Sequence, residues 1–307
     1  MTELVTIGWL TIDDIVQGDT VQRDVLGGGA LYSAVGARIW NDSVGVHSVT
    51  GRRHLDLVRA DIEGFGLDSR GIETIDGNGL QLWLLHENDR DKQQVPKLSS
   101  STAAEMDEGR GTLPDFYANA QGFHIAPQGP TSSLANAVHL AGLPGRPVVT
   151  LDLLSDGYID ASLYRDLSFL HHLSAFLPSE AEILRIWRPD DLEAWVRAQA
   201  TEHGCTIAVK LGERGSFVCV PGERRLVQIP AFPSRVVDTT GAGDSYCGGF
   251  LAGLAEGRPP EVCAAMGTVA ASYVVEACGA LRTVRPTPDD RAARLAHVMS
   301  RLVSTDL

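Results

Sequence analysis

Residues 236–250 read VVDTTGAGDSYCGGF, with glycines set among two aspartates, Asp238 and Asp244, and two threonines. The β-branched run Arg235–Val237 suits a strand end, and SYCGGFLAGLAEG continues as a helix with small residues on one face. The spacing therefore puts Gly241–Asp244 at a helix N-terminus, where free N–H groups and the positive end of the dipole attract an anion. In that field the Asp244 carboxylate is stabilised and could take a proton or orient a hydroxyl for attack on phosphorus. A tight turn with Asp244 as a plain cap explains the same residues, and on local physics it is slightly the stronger reading. Neither this loop nor GGGALYSAVG at 27–36 fits GxGxxG or GxxxxGK[ST], so a Rossmann or Walker-type phosphate loop is a poor match.

The elements around this loop alternate. LVTIGW (4–9), VGVHSV (44–49), GFHIA (122–126), PVVTLDLL (147–154) and CTIAVKL (205–211) read as buried strands. Amphipathic stretches at 30–40, 55–66, 132–142 and 190–204 read as helices, and SAFLPSEAEILRIW (174–187) as a short strand that breaks at Pro178 into a helix. This rhythm predicts an α/β fold with a mostly parallel sheet covered on both faces. Residues 10–26 and 79–102 interrupt it with short alternating segments that read as β-hairpins, either a small lid or oligomerisation sheet or plain surface ornament. The 307 residues are 44% hydrophobic and 21% charged, a balance ordinary for a globular enzyme. A net charge of −13 argues against nucleic-acid or anionic-membrane partners. No apolar run approaches a membrane span and the first residues lack a signal-peptide pattern, so a cytoplasmic setting is expected. The five cysteines lack CxxC spacing and read as buried free thiols.

DTTGAGDSYCGGF resembles the C-terminal signature of the PfkB, or ribokinase-like, carbohydrate kinases. GWLTIDDIV (8–16), GGGALYSAVGARIW (27–40), GLDSRGI (66–72), PSEAEI (178–183) and KLGERGSF (210–217) are similar to further family segments, in the same order along the chain. The resemblance implies a three-layer α/β/α domain over residues 1–307 with a small β lid, and ATP-dependent phosphorylation of a sugar or sugar-like alcohol. It turns the preference at Asp244 from cap to catalytic base, with the Gly241, Ala242 and Gly243 amides as the anion hole.

By the same resemblance Lys210, Gly212 and Gly215 line the ATP phosphates and ribose, and Thr268 lies near the adenine. Glu182 helps to hold Mg²⁺. Ser179 stands where the family has asparagine, and it equally fits an N-cap completing a capping box with Glu182. Asp238 and Thr240 match a monovalent-cation loop, a K⁺ site completed at Val274, Ala277, Gly279 and Thr283. Asp13 matches the substrate aspartate. Its neighbour Asp14 must point to the opposite face of a strand, so only one of them faces the pocket. Gly28 matches a close-approach glycine, and Gln128 falls near a substrate contact. Tyr32 replaces a sugar-binding asparagine, which makes simple ribose recognition doubtful; a core aromatic is the other reading of Tyr32. A nucleoside kinase and a catalytically silent sugar- or nucleotide-binding regulator remain alternatives. The family also implies a homodimer through the lid.

Overall fold

The computed structural model describes residues 2–86, 92–154, 160–223 and 225–305. Its central strands are apolar along their whole length because both of their faces are covered. In Leu4–Ile7, Val5 and Ile7 join one buried cluster while Leu4 joins the other. Ile207 and Val209 alternate with Ala208 in the same way. One face carries helices Pro130–Ala141, Glu180–Ile186 and Leu192–His203. The other carries Gly29–Arg38, Ala242–Ala255 and Pro260–Val274.

Among the described residues ten strands form the main sheet. Their spatial order is Val303–Thr305, Leu226–Ile229, Ser216–Cys219, Thr206–Lys210, Ala175–Phe176, Val148–Leu151, Gly122–Ile125, Leu4–Ile7, Val44–Gly51, Ile72–Ile75. The pairs from Thr206–Lys210 to Ile72–Ile75 are parallel, and the strands beyond Thr206–Lys210 are antiparallel. Parallel strands deliver their C-terminal ends to one edge, so the residues that follow Ile7, Leu151 and Val209 converge there.

Both hairpins expected at 10–26 and 79–102 form, and they join into one separate sheet in the order Thr20–Gly27, Thr11–Gln17, Leu80–His86, Lys92–Pro96. The central pair is parallel, with Asp13 opposite Leu82. Leu80, Leu82 and Leu84 point to one buried face, as the period of a strand requires. The polar turn of the second hairpin falls on residues 87–91, outside the described residues. The return strand stops at Pro96, and Thr102 caps helix Ala103–Arg110 through a capping box with Glu105. The strand end expected at Arg235–Val237 is absent. The Val237 and Asp238 amides instead donate to the Val275 carbonyl at 2.7 and 3.2 Å, at the end of helix Pro260–Val274. All five cysteines are free; four are buried, and Cys278 is half-exposed.

Candidate active site

Helix Ala242–Ala255 begins at Gly241, whose φ of 72° is left-handed. A Cβ at that position would lie 2.0 Å from the Tyr32 ring, so only glycine allows the turn to lie flat on the aromatic. The helix packs closely on Gly29–Arg38. A Cβ on Gly36 would meet the Ser245 carbonyl at 2.1 Å, and one on Gly248 the Ser33 carbonyl at 1.8 Å. This contact sets the first turn of one helix against the start of the other. An added Cβ on Gly29 would stand 3.0 Å from Asp244 Oδ1. Asp244 thus occupies the first helical turn and lines a cleft of about 390 Å³ with Gly241 and Gly243. The Ala242 amide is turned to the Thr239 carbonyl at 3.3 Å.

On one side of Asp244 lies a charged cluster. The Lys210 ammonium ion-pairs with Asp152 and stands near the backbone of Gly243. Burial opposes its charge, but Asp152, Cys247 and Glu182 together hold its pKa well above the usual lysine value. Burial, and next the Asp152 charge, push the Glu182 carboxyl up to about 7, against the pull of Lys210. Ser179 forms the expected capping box: its hydroxyl accepts from the Glu182 amide at 3.3 Å, while Glu182 accepts from the Ser179 amide at 2.6 Å. Both residues also line the cleft, as does Gly212, so the cap and the cleft wall are one feature.

On the other side stand Asp13, Gly28, Tyr32 and the lid. Asp13 faces the cleft and Asp14 does not, in accord with strand alternation. Asp14 is held by Lys97 at 3.0 Å and accepts from the Asp24 amide at 3.0 Å. Asp13 Oδ2 accepts from the Thr11 hydroxyl at 2.8 Å, whereas Oδ1 is buried without a hydrogen-bond partner. Burial drives the Asp13 carboxyl up to about 7. Gly28 has φ 101°, and a Cβ there would strike the Trp9 carbonyl at 2.4 Å, so the glycine brings backbone against backbone beside Asp13. Tyr32 is both core and wall: it is 3% exposed yet lines the cleft. Burial and the Asp238 and Asp13 charges keep its hydroxyl protonated. Trp9, Leu80, Leu82, Leu84 and Leu154 give this end an apolar wall, with the polar Thr11 and Gln94 beside it.

Several expected residues do not line the cleft. Gln128 is fully buried and accepts a hydrogen bond from Arg110. Thr268 is buried within helix Pro260–Val274, and Gly215 packs under the Ile229 carbonyl. Thr240 lines the cleft and donates to Asp238 Oδ1 from its amide at 2.8 Å and its hydroxyl at 2.7 Å. Behind that turn runs the 274–283 segment. There Val274 accepts from the Ala277 amide, Gly279 has φ 92°, and the buried Thr283 hydroxyl lacks a hydrogen-bond partner. Among the described residues no group of three or more His, Cys, Asp or Glu side chains could hold a metal by itself. Sequence reasoning missed Asp152 and Trp9. A lone carboxylate at the end of the apolar run PVVTLDLL was the available signal for Asp152, because parallel strands present such a residue at the ligand edge.

The likenesses to known proteins bear on the fold and the family. Cytidine kinase of Thermococcus kodakarensis is 27% identical over 283 residues, 91% of this chain and 98% of its own. Among solved structures, the Burkholderia thailandensis nucleoside kinase in complex with inosine superposes with a TM-score of 0.79 at 16% identity, covering 97% of this chain and 99% of that one. A putative ribokinase II from E. coli, in complex with ATP and Mg²⁺, gives 0.75 at 17% identity, covering 97% and 100%. These two structural matches share the ribokinase-like fold. The model of the pfkB family carbohydrate kinases matches residues 9–287, and the chain belongs to that family of kinases.

Proposed function

We propose that this kinase moves the γ-phosphoryl group of ATP to a hydroxyl of a sugar-like small molecule, with Asp244 taking the acceptor proton. One observation carries the reading: Asp244, in the first turn of a helix, shares a single cleft with a buried Asp13 oxygen that lacks a hydrogen-bond partner. A buried acceptor oxygen without a partner is costly, and an acceptor hydroxyl would satisfy it. Asp13 then holds one hydroxyl while Asp244 orients another. The N–H groups at Gly241 and Gly243 and the helix dipole face the charge that develops on phosphorus. Lys210 binds ATP phosphates, and the lid leucines exclude water from transfer.

Mg²⁺ fits the Glu182 end. Asp152 and Glu182 together outweigh the single Lys210 charge there, and a hard cation suits carboxylate oxygens with phosphates and waters. When bound, it neutralises phosphate charge. For K⁺ we propose the turn of Asp238 and Thr240 with Val274, Ala277, Gly279 and Thr283, where the partnerless Thr283 hydroxyl is a suitable donor. Residues 1–307 are read as one domain. Val21 and Val95, 47% and 40% exposed on the lid sheet, support a homodimer through that sheet, which Val21→Glu would abolish, as read by sedimentation velocity.

A nucleoside acceptor is the second reading, favoured by the apolar wall of Trp9 and the lid leucines beside Asp13. The full-length likeness to a cytidine kinase supports it. ADP release measured over a panel of sugars and nucleosides tests both. Ligand-induced thermal stabilisation with no acceptor-dependent ADP release would overturn the kinase mechanism in favour of a silent binding protein.

A further inference from the structure

Trp9 follows the central strand Leu4–Ile7, is 3% exposed, and lines the acceptor end of the cleft. Its Nε1–H donates to Asp107 Oδ1 at 2.7 Å. Asp107 lies on helix Ala103–Arg110, directly after the lid's return strand, and is not part of the cleft wall. The indole therefore turns its polar edge away from the cleft, and its carbon face is what remains to meet a ligand. The Ser132 side chain and the Gly129 backbone also face Asp107 and favour its charged form. A Cβ on Gly129 would stand 2.1 Å from Asp107 Oδ2, so that loop can approach only as glycine. One carboxylate thus joins the end of the first strand, the helix after the lid, and the loop that carries Pro127 into the cleft.

We propose that Asp107 is a positioning residue that fixes the Trp9 indole as a π-faced wall of the acceptor pocket, and that Trp9 selects acceptors carrying a flat or apolar face beside their hydroxyls. This rests on the kinase reading above. A planar base or an apolar sugar face gains from stacking on an indole, whereas a small pentose that is hydroxylated all round gains little. A freely rotating Trp9 would lose ordering entropy on each binding event, which the Asp107 bond removes in advance.

Two readouts test this. In ¹⁵N spectra, with Trp9→Phe identifying the Trp9 indole N–H, Asp107→Leu is expected to shift that resonance upfield and speed its exchange with solvent. Asp107→Asn, which retains a carbonyl acceptor, is expected to restore both. This readout needs no acceptor and no turnover, so it stands even if no substrate-dependent ADP release is found. The second is calorimetry with cytidine and with D-ribose in the presence of a non-hydrolysable ATP analogue. Trp9→Leu and Asp107→Leu should each weaken cytidine binding about tenfold, the scale of one lost aromatic stack, and change ribose binding and ATP-analogue binding by less than about threefold. An unmoved indole resonance in Asp107→Leu would overturn the positioning role. Cytidine binding no tighter to the wild type than to Trp9→Leu, or equal losses for cytidine and ribose, would overturn the selectivity role.

Discussion

Asp13→Asn should make the protein more stable at alkaline pH while removing acceptor binding. The Asp13 carboxyl moves from 3.8 to about 7 because the fold buries it, with Thr11 and Lys97 offsetting only part of that cost. At 1.36 kcal/mol per tenfold change, the ionised form is disfavoured in the fold by on the order of 4 kcal/mol. The sign follows from proton binding: between these two values the folded state holds the proton and the unfolded state does not. Stability is therefore fully present below the unfolded pKa and lost as pH rises through the folded one. Asparagine cannot ionise, so the variant escapes this loss. Its amide can still accept from Thr11, but it leaves an N–H₂ where Oδ1 now lacks a partner, at about 1–3 kcal/mol. The net gain expected at pH 8 is about 1–3 kcal/mol, vanishing or reversing at pH 5, where the wild-type carboxyl is already neutral. Urea unfolding of both proteins at pH 5 and pH 8 measures it, with acceptor KM measured alongside and expected to rise at least about tenfold. A stability difference that does not grow in favour of the variant between pH 5 and pH 8 would refute the argument that Asp13 is held strained and ready for an acceptor.

Asp244→Asn keeps the shape of the helix start but loses the base. The kcat should fall by about 10²–10⁴, a barrier increase of about 3–5 kcal/mol, while ATP affinity measured by calorimetry stays within about threefold. Gly241→Ala combines a left-handed φ of 72° with a Cβ 2.0 Å from the Tyr32 ring. It should cost about 2–4 kcal/mol in urea unfolding, and Tyr32→Ala in the same chain should show a coupling above about 1 kcal/mol because the clash disappears. Lys210→Met leaves Asp152 and Glu182 without their counter-charge, so a loss of about 3–5 kcal/mol is expected at pH 8. The loss should be smaller at pH 5, since the Glu182 carboxyl, already near 7, then protonates.

The strand and helix alternation, both lid hairpins, and the placement of Asp244 at a helix start were legible from the chain alone. Those features follow from hydrophobic period and from glycine and cap chemistry, which act over a few residues. That only one of Asp13 and Asp14 can face the cleft also followed from strand alternation, while the choice of Asp13 came from the family resemblance. The Arg235–Val237 segment misled because its hydrogen-bond acceptor, the Val275 carbonyl, is remote in sequence and belongs to a helix end instead of a sheet. Gln128 could not be placed either, since burial hides it and its side-chain oxygen is taken by Arg110, a residue from another element. Asp152 became part of the site only when parallel pairing carried the ends of three strands to one edge. Trp9 reads in the sequence as the last apolar residue of the strand expected at 4–9. Only the Asp107 carboxylate, 98 positions away, takes the indole N–H and leaves the carbon part of the ring to the cleft. Local sequence determined which residues could do chemistry here, because turn, cap and period are short-range. Tertiary structure decided which of them meet, because burial and charge pairing depend on partners that the chain brings together only by folding.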